Sequence, residues 1–290
     1  VTEDQKDIDE LSGIDTTGHE WDGIKELNNP LPKWWVYTFY VTVVWAVLYW
    51  IAMPAIPLIS GYTQGILGYS QRQVVADQIA EAKAARSVFD EQLMSMPIEE
   101  ARNNPEMLNY ALAAAEASFG DNCATCHGTG AQGFPGYPNL NDDDWIWGGT
   151  LEEIQQTIRY GIRSEEDETR YTIMPAFLAE GLLQANEVRD LVEYVLSLSG
   201  EEHNEEQAAR AATIYEDNCA SCHMSDGVGD KFLGAPNLSD KIWLIGKDRD
   251  TLYQSIGNMK PSVMPAWHKR LDEATIRSLA IYVHSLGGGE

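Results

Sequence analysis

The sequence predicts an all-α chain: one N-terminal transmembrane helix, a connector helix and two tandem small helical domains. Three observations predict it. Residues 34–59, WWVYTFYVTVVWAVLYWIAMPAIPLI, run for twenty-six positions without a charge. Residues 73–96 are dense in Ala, Glu and Gln, which favour helix. The remainder contains one pattern written twice, each copy holding a C-x-x-C-H motif: DNCATCHGTG at 121–130 and DNCASCHMSD at 217–226.

Residues 1–33 form the first segment. They hold nine Asp or Glu and three Lys, a net of −6, with little apolar periodicity. This reads as an extended or weakly ordered tail, with a turn-like run of Pro, Asn and Trp at its end.

The second segment is residues 34–59. A bilayer core of about 30 Å needs about 20 helical residues, so Trp34–Met53 suffices. Aromatic residues stand at both ends, as in an interfacial belt. Pro54 and Pro57 are expected to kink or end the helix. A buried core helix is the plain alternative, but the segment has no polar face. A cleaved leader does not fit so long an apolar run behind an acidic lead. Lys25 and Lys33 precede the span and Arg72 follows it, a bias toward a cytoplasmic N-terminus.

The third segment, residues 60–105, begins with the Gly/Tyr loop GYTQGILGYSQR and continues as a connector helix that Pro97 ends. Two domains follow, residues 106–200 and 205–290. Each block of the first has a counterpart in the second: an Ala-rich helix leading to the motif, Pro-Asn-Leu, a Trp six positions after that Asn (Asn139 and Trp145, Asn237 and Trp243), a Met-Pro-Ala-aromatic loop, and a closing helix. The closing helices, Asn186–Leu198 and Ala274–Leu286, carry apolar residues at helical spacing and are expected to pack on the first helix of their domain.

All four cysteines lie in the two motifs, so none remains for a structural disulfide. C-x-x-C-H is the attachment signature of c-type haem: both thiols form thioethers, and the His becomes the proximal iron ligand. A zinc site would require four Cys or His ligands in another spacing. A thioredoxin-like pair would not need the His. The two domains are thereby predicted to be class I cytochrome c domains, each holding one covalently bound haem c. Cys123 and Cys126 attach the first and Cys219 and Cys222 the second, with His127 and His223 on the irons. The sixth ligands are expected at equivalent places of each repeat: Met174 for haem 1 and Met264 for haem 2, each fixed by the Pro that follows. Met259 is a rival without an equivalent in the first repeat, and Met224 is too near His223 to reach the far face. Met53, Met94, Met96 and Met107 are expected in packing or membrane roles. His19, His203, His268 and His284 are expected at the surface or between helices, and Asp142–Asp144 in a solvated loop.

His/Met ligation leaves no open position and favours electron transfer over chemistry at the iron. No catalytic residue is expected. The formal charge of −25 argues against nucleic acid and suits a basic protein partner. Bacterial c-type haem is attached outside the cytoplasmic membrane, which places the haem domains in the periplasm.

Trp21-Asp22-Gly23-Ile24, Asn28-Asn29-Pro30-Leu31-Pro32 and Trp34-Trp35, followed by the apolar span, the connector and two C-x-x-C-H domains, resemble the dihaem CcoP (FixP) subunits of cbb-type cytochrome c oxidases. The resemblance covers nearly the whole chain. It implies a single-pass subunit of a bacterial inner membrane, beside a catalytic haem–copper subunit and a monohaem cytochrome c subunit. Such a subunit takes electrons from a donor cytochrome c, or from a cytochrome bc complex by way of one, and passes them to the site where dioxygen is reduced. That site lies in another chain. The alternatives are a dihaem subunit of a periplasmic dehydrogenase, a free membrane-anchored shuttle and, further off, a dihaem peroxidase.

Overall fold

The structure, a computed structural model, describes residues 7–287 and divides into two compact units between Lys83 and Ala84. In the first unit, β1 (Thr16–Trp21) and β2 (Ile24–Leu27) form an antiparallel hairpin. The turn is Asp22-Gly23, both in the left-handed region at φ 49° and 84°. Asp-Gly is the pair that a two-residue hairpin turn favours, because its twist matches the strands. The expectation was an extended or weakly ordered tail with a turn-like run from Trp21; the paired strands are the correction, and their signal was Trp21-Asp22-Gly23-Ile24 itself. Residues 1–6 of that tail lie outside the described residues.

Helix α1 (Lys33–Ala52) has a mean hydropathy of 1.5 and none of its hydrophobic window is buried by protein. A helix with apolar side chains on every face suits lipid. It stops at Ala52, seven residues short of the uncharged run's end, and Met53 caps it immediately before Pro54. Beyond it, Ile66 N–H donates to Ile51 O at 2.9 Å and Leu67 N–H to Ala52 O at 3.1 Å, capping the free carbonyls. Gly65 (φ 72°) lies so close to Ala52 O that a Cβ would strike it. Two short strands, β3 (Pro57–Leu58) and β4 (Gly61–Tyr62), close this stretch. Helix α2 (Gln71–Ser95) follows.

In the second unit the helices are α3 (Ile98–Asn103), α4 (Pro105–Asn122), α5 (Ala124–His127), α6 (Leu151–Tyr160), α7 (Ala185–Leu198), α8 (Glu205–Asn218), α9 (Ala220–His223), α10 (Arg249–Gly257) and α11 (Glu273–Leu286). Caps legible in the sequence start them. Asn104 accepts from Glu106 and Met107 N–H before α4, and Thr150 forms a capping box with Glu153 before α6. Asn204, Asp248 and Asp272 accept from the backbone three residues on at α8, α10 and α11. Helices α6 and α10 were not anticipated, although the Thr-Leu-Glu-Glu start of α6 is a capping signature.

Among the described residues there are two cores, and they do not follow the division at 200/205. One buries Leu93, Ile98, Ala101, Met107, Ala111, Ala115, Phe119, Leu151, Ile154 and Ile158 together with Trp267, Ile276, Leu279, Ala280 and Ile281. It therefore joins the end of α2, α3, α4 and α6 to α11. The other buries Phe177, Leu183, Val188, Leu191, Val192 and Val195 with Ala211, Tyr215, Leu252 and Ile256, joining α7 to α8 and α10. Each closing helix thus packs on the first helix of the other repeat, where packing within the repeat was expected. The end of the connector, from Leu93, belongs to the first core rather than to a separate linker.

Two physical reasons select this exchange. Only residues 199–204 separate α7 from α8, and a short connection makes consecutive helices antiparallel neighbours. The charges agree. On α7, Asp190 takes a two-pronged contact from Arg210 of α8, both N···O distances 2.9 Å. Glu193 takes one from Arg249 of α10, at 2.6 and 2.9 Å. In the repeat alignment α4 offers Ala114 where α8 has Arg210, and α6 offers Leu151 where α10 has Arg249. Packed within its own repeat, α7 would bury two carboxylates without their arginines, which is strongly unfavourable. The face of α11 has Ser278 and Ile281 at those places and tolerates the alanines.

Candidate functional site: two C-x-x-C-H motifs and two exchanged methionines

Both motifs adopt one geometry. Helices α4 and α8 end at Asn122 and Asn218, and Cys123 and Cys219 cap them. The next turn brings His127 N–H to Cys123 O and His223 N–H to Cys219 O, each at 2.9 Å. It presents both sulfurs and the imidazole together. His127 Nδ1 lies 3.1 Å from Pro138 O, and His223 Nδ1 lies 3.0 Å from Pro236 O. A ring nitrogen that donates to a carbonyl fixes the tautomer, so Nε2 is left as the free lone pair for a metal. Burial holds both imidazoles below the ordinary histidine pKa and favours this neutral form. Pro-Asn-Leu, read from the sequence only as a shared block, therefore supplies the carbonyl that orients each His.

The two Met-Pro loops lie across the repeats. Met264 packs against the core that also holds Cys123, and Met174 against the core that holds Cys219. Backbone bonds fix the crossing. Ile162, just past α6, exchanges both hydrogen bonds with Met264, each 3.0 Å. Gly161 (φ 74°) lets this happen, since a Cβ there would strike Met264 O. In the other copy Phe177 N–H donates to Ile256 O at 3.3 Å and Leu178 N–H to Gly257 O at 2.9 Å. The expected partnership of Met174 with His127 and of Met264 with His223 is not the one the packing brings together.

Other methionines and histidines are engaged elsewhere. Met224 has φ 63° and its carbonyl accepts from Tyr215 Oη at 2.9 Å. Met259 belongs to neither core. His268 commits Nδ1 to Arg159 O at 3.0 Å and Nε2 to Glu166 at 3.4 Å. Met107 is fully buried in the first core. Asp144 differs from the expected solvated loop. It is half-buried, and burial together with the nearby Asp240 and Asp142 carboxylates pushes it up to about 6.

The residues present fit a haem in each half. Besides the thiols and the oriented imidazole, the Nε1–H of Trp243 is buried with no hydrogen-bond partner. Such an orphan donor is costly, and it is the kind of group a haem carboxylate satisfies.

Residues 111–195 and 206–283 match the family "Cytochrome C oxidase, cbb3-type, subunit III", and residues 13–60 match "N-terminal domain of cytochrome oxidase-cbb3, FixP". The chain belongs to the cbb3-type cytochrome c oxidase subunit III family. It is similar to the cbb3-type oxidase subunit FixP of Azorhizobium caulinodans, 49% identical over 98% of this chain and 96% of that protein. It is likewise similar to FixP of a Bradyrhizobium species, 50% identical over 99% of both chains, and to the CcoP subunit of Cereibacter sphaeroides, 50% identical over 95% of both. The chain is thus an electron-transfer subunit of a cbb3-type cytochrome c oxidase, an oxidoreductase complex, and a haem c protein partnered by other oxidase subunits. The matched FixP N-terminal region contains both the β1–β2 hairpin and α1, the one candidate membrane span among the described residues.

Proposed function

We propose that this subunit carries two covalent haems c and relays electrons from a donor cytochrome c toward the catalytic haem–copper subunit, through the monohaem subunit. Cys123 and Cys126 hold the first haem and Cys219 and Cys222 the second. His127 and Met264 ligate the first iron; Met174 and His223 ligate the second. A bound haem supplies one-electron chemistry between ferric and ferrous iron. The polypeptide orients the imidazoles through Pro138 and Pro236, carries the thioether ligands on loops fixed by the opposite half, and excludes water with Phe177 and Trp267. Helix α1 anchors the subunit in a bacterial inner membrane, its N-terminus cytoplasmic and its haem domains periplasmic, where c-type haem is attached. The net charge of −25 suits a basic donor, whose approach the field accelerates.

The observation that carries this reading is the seating of each Met-Pro loop in the core of the opposite C-x-x-C-H motif. The test uses the full chain with Cys219 and Cys222 changed to Ala, so that haem attaches only at the first motif. Met264→Leu is expected to abolish the remaining sulfur–iron absorption band, and Met174→Leu to leave it. The opposite outcome restores ligation within each repeat. A pyridine haemochrome count below two in the unaltered chain overturns the dihaem reading.

A further inference from the structure

The two Met-Pro loops share one cation. Arg163 stands just beyond α6 and Ile162, in a stretch that the second repeat lacks: sixteen positions separate Ile158 from Met174, but eight separate Ile256 from Met264. Its backbone is left-handed at φ 53°, a conformation that non-glycine residues adopt only when their surroundings impose it. The imposing contacts are visible. Arg163 N–H donates to Arg170 O at 2.8 Å, and Ile162 is locked to Met264. The guanidinium then reaches both loops. Nε donates to Ser262 O at 2.7 Å, and Nη1 donates to Thr172 O at 3.0 Å. Ser262 lies two residues before Met264, and Thr172 lies two residues before Met174.

Among the described residues no carboxylate acts on the Arg163 guanidinium, although Glu165, Glu166, Asp167 and Glu168 follow it in sequence. The ionisable group acting on Arg163 is the phenol of Tyr171. Glu166 of that acidic run is taken by Lys269 and His268. Burial lowers the guanidinium's affinity for its proton, yet an arginine stays charged in proteins. A partly buried cation is poorly screened, and it disfavours gain of a further positive charge nearby. Oxidation of a haem iron is such a gain.

We infer that Arg163 is a shared positioning residue for Met174 and Met264 whose fixed charge raises the reduction potential of both haems together. This rests on the exchanged ligation proposed above. A cation tied to both loops keeps the two potentials linked, which suits relay through two sites.

The test is a spectroelectrochemical titration of the full chain in detergent, unaltered and as Arg163→Gln and Arg163→Lys. The unaltered chain must first show two haems per chain and sulfur–iron bands that Met174→Leu and Met264→Leu each diminish. If it does not, the ligation reading has failed. Given those bands, Arg163→Gln is expected to move the oxidised-to-reduced ratio of both haems at a fixed poise by about threefold to tenfold toward oxidised, tenfold being 59 mV for one electron. Arg163→Lys, which keeps the charge, is expected to restore most of that shift. Potentials unmoved in Gln, a shift confined to one haem, or Lys shifting as far as Gln each overturn the inference. If the Gln chain fails to hold two haems, Lys alone decides: potentials close to the unaltered chain support the inference, and a large fall in either overturns it.

Discussion

Asp144 shows how one residue departs from the plain expectation for its type. Three consecutive aspartates suggest a solvated loop, but Asp144 faces Asp240 as well as Asp142, with Lys231 the opposing charge. Its folded pKa of about 6 stands above the ordinary carboxyl value. The folded state then binds the proton more tightly than the unfolded chain. Stability from this group is greatest below about pH 4 and falls as pH rises through about 6. Because the side chain is half-exposed, the span is about 1 kcal/mol after screening. Asp144→Asn is expected to flatten the stability profile of the holo chain between pH 4 and 6 and to raise stability at pH 7, as measured by urea denaturation across that range. Nothing in the local sequence announces this, because Asp240 is 96 positions away.

Helix α7 carries the specificity of the exchange at the scale of an element. Its apolar positions are helical in period and were legible, and α11 shows the same period. Period alone does not say which helix each one meets. Glu193, 7% exposed, answers through Arg249 and the Asn204 N–H. The Arg249 hydrogen bonds hold its carboxyl below the usual carboxylate range. The sign follows: this stability is present above about pH 4.3, the unfolded value, and is lost as pH falls through the folded pKa. Arg249→Ala leaves a buried carboxylate short of donors and is expected to cost about 2 kcal/mol at neutral pH. The loss shrinks in acid, because the buried Glu193 carboxyl deprived of Arg249 takes up a proton more readily. Thermal denaturation of the holo chain at pH 7 and pH 4 measures both. The hairpin β1–β2 makes the complementary point. There a local pair, Asp22-Gly23, sufficed to specify the element, and the acidic composition of the tail hid it.

At the scale of the whole molecule, the exchange predicts how the chain can be cut. Every residue of the second core lies between Met174 and Ile256, whereas the first core needs residues 93–158 together with 264–286. A contiguous fragment 171–259 is expected to fold and hold one haem. Fragments 106–200 and 205–290, the divisions read from the repeat, each lack half of both cores and are expected to yield no stable haem domain. Co-expression with the haem attachment machinery, followed by haemochrome count and helical circular dichroism, separates these outcomes. Folded, haem-bearing fragments 106–200 and 205–290 would return each core to its own repeat.

The sequence by itself determined what local chemistry can determine. Attachment at C-x-x-C-H needs three side chains within five positions, a membrane span needs a run of apolar residues, and a helix needs its caps and its period. Each of these is written in neighbouring residues, so each could be read without coordinates. The repeat also showed that Met174 and Met264 are equivalent. Only the tertiary structure decided which His each faces, because equivalence under repetition is silent about pairing. A short α7–α8 connection and the partners of Asp190 and Glu193 favour the crossed arrangement, and those partners lie 20 and 56 positions away. The same holds for Arg163, whose meaning depends on two loops brought together by that crossing.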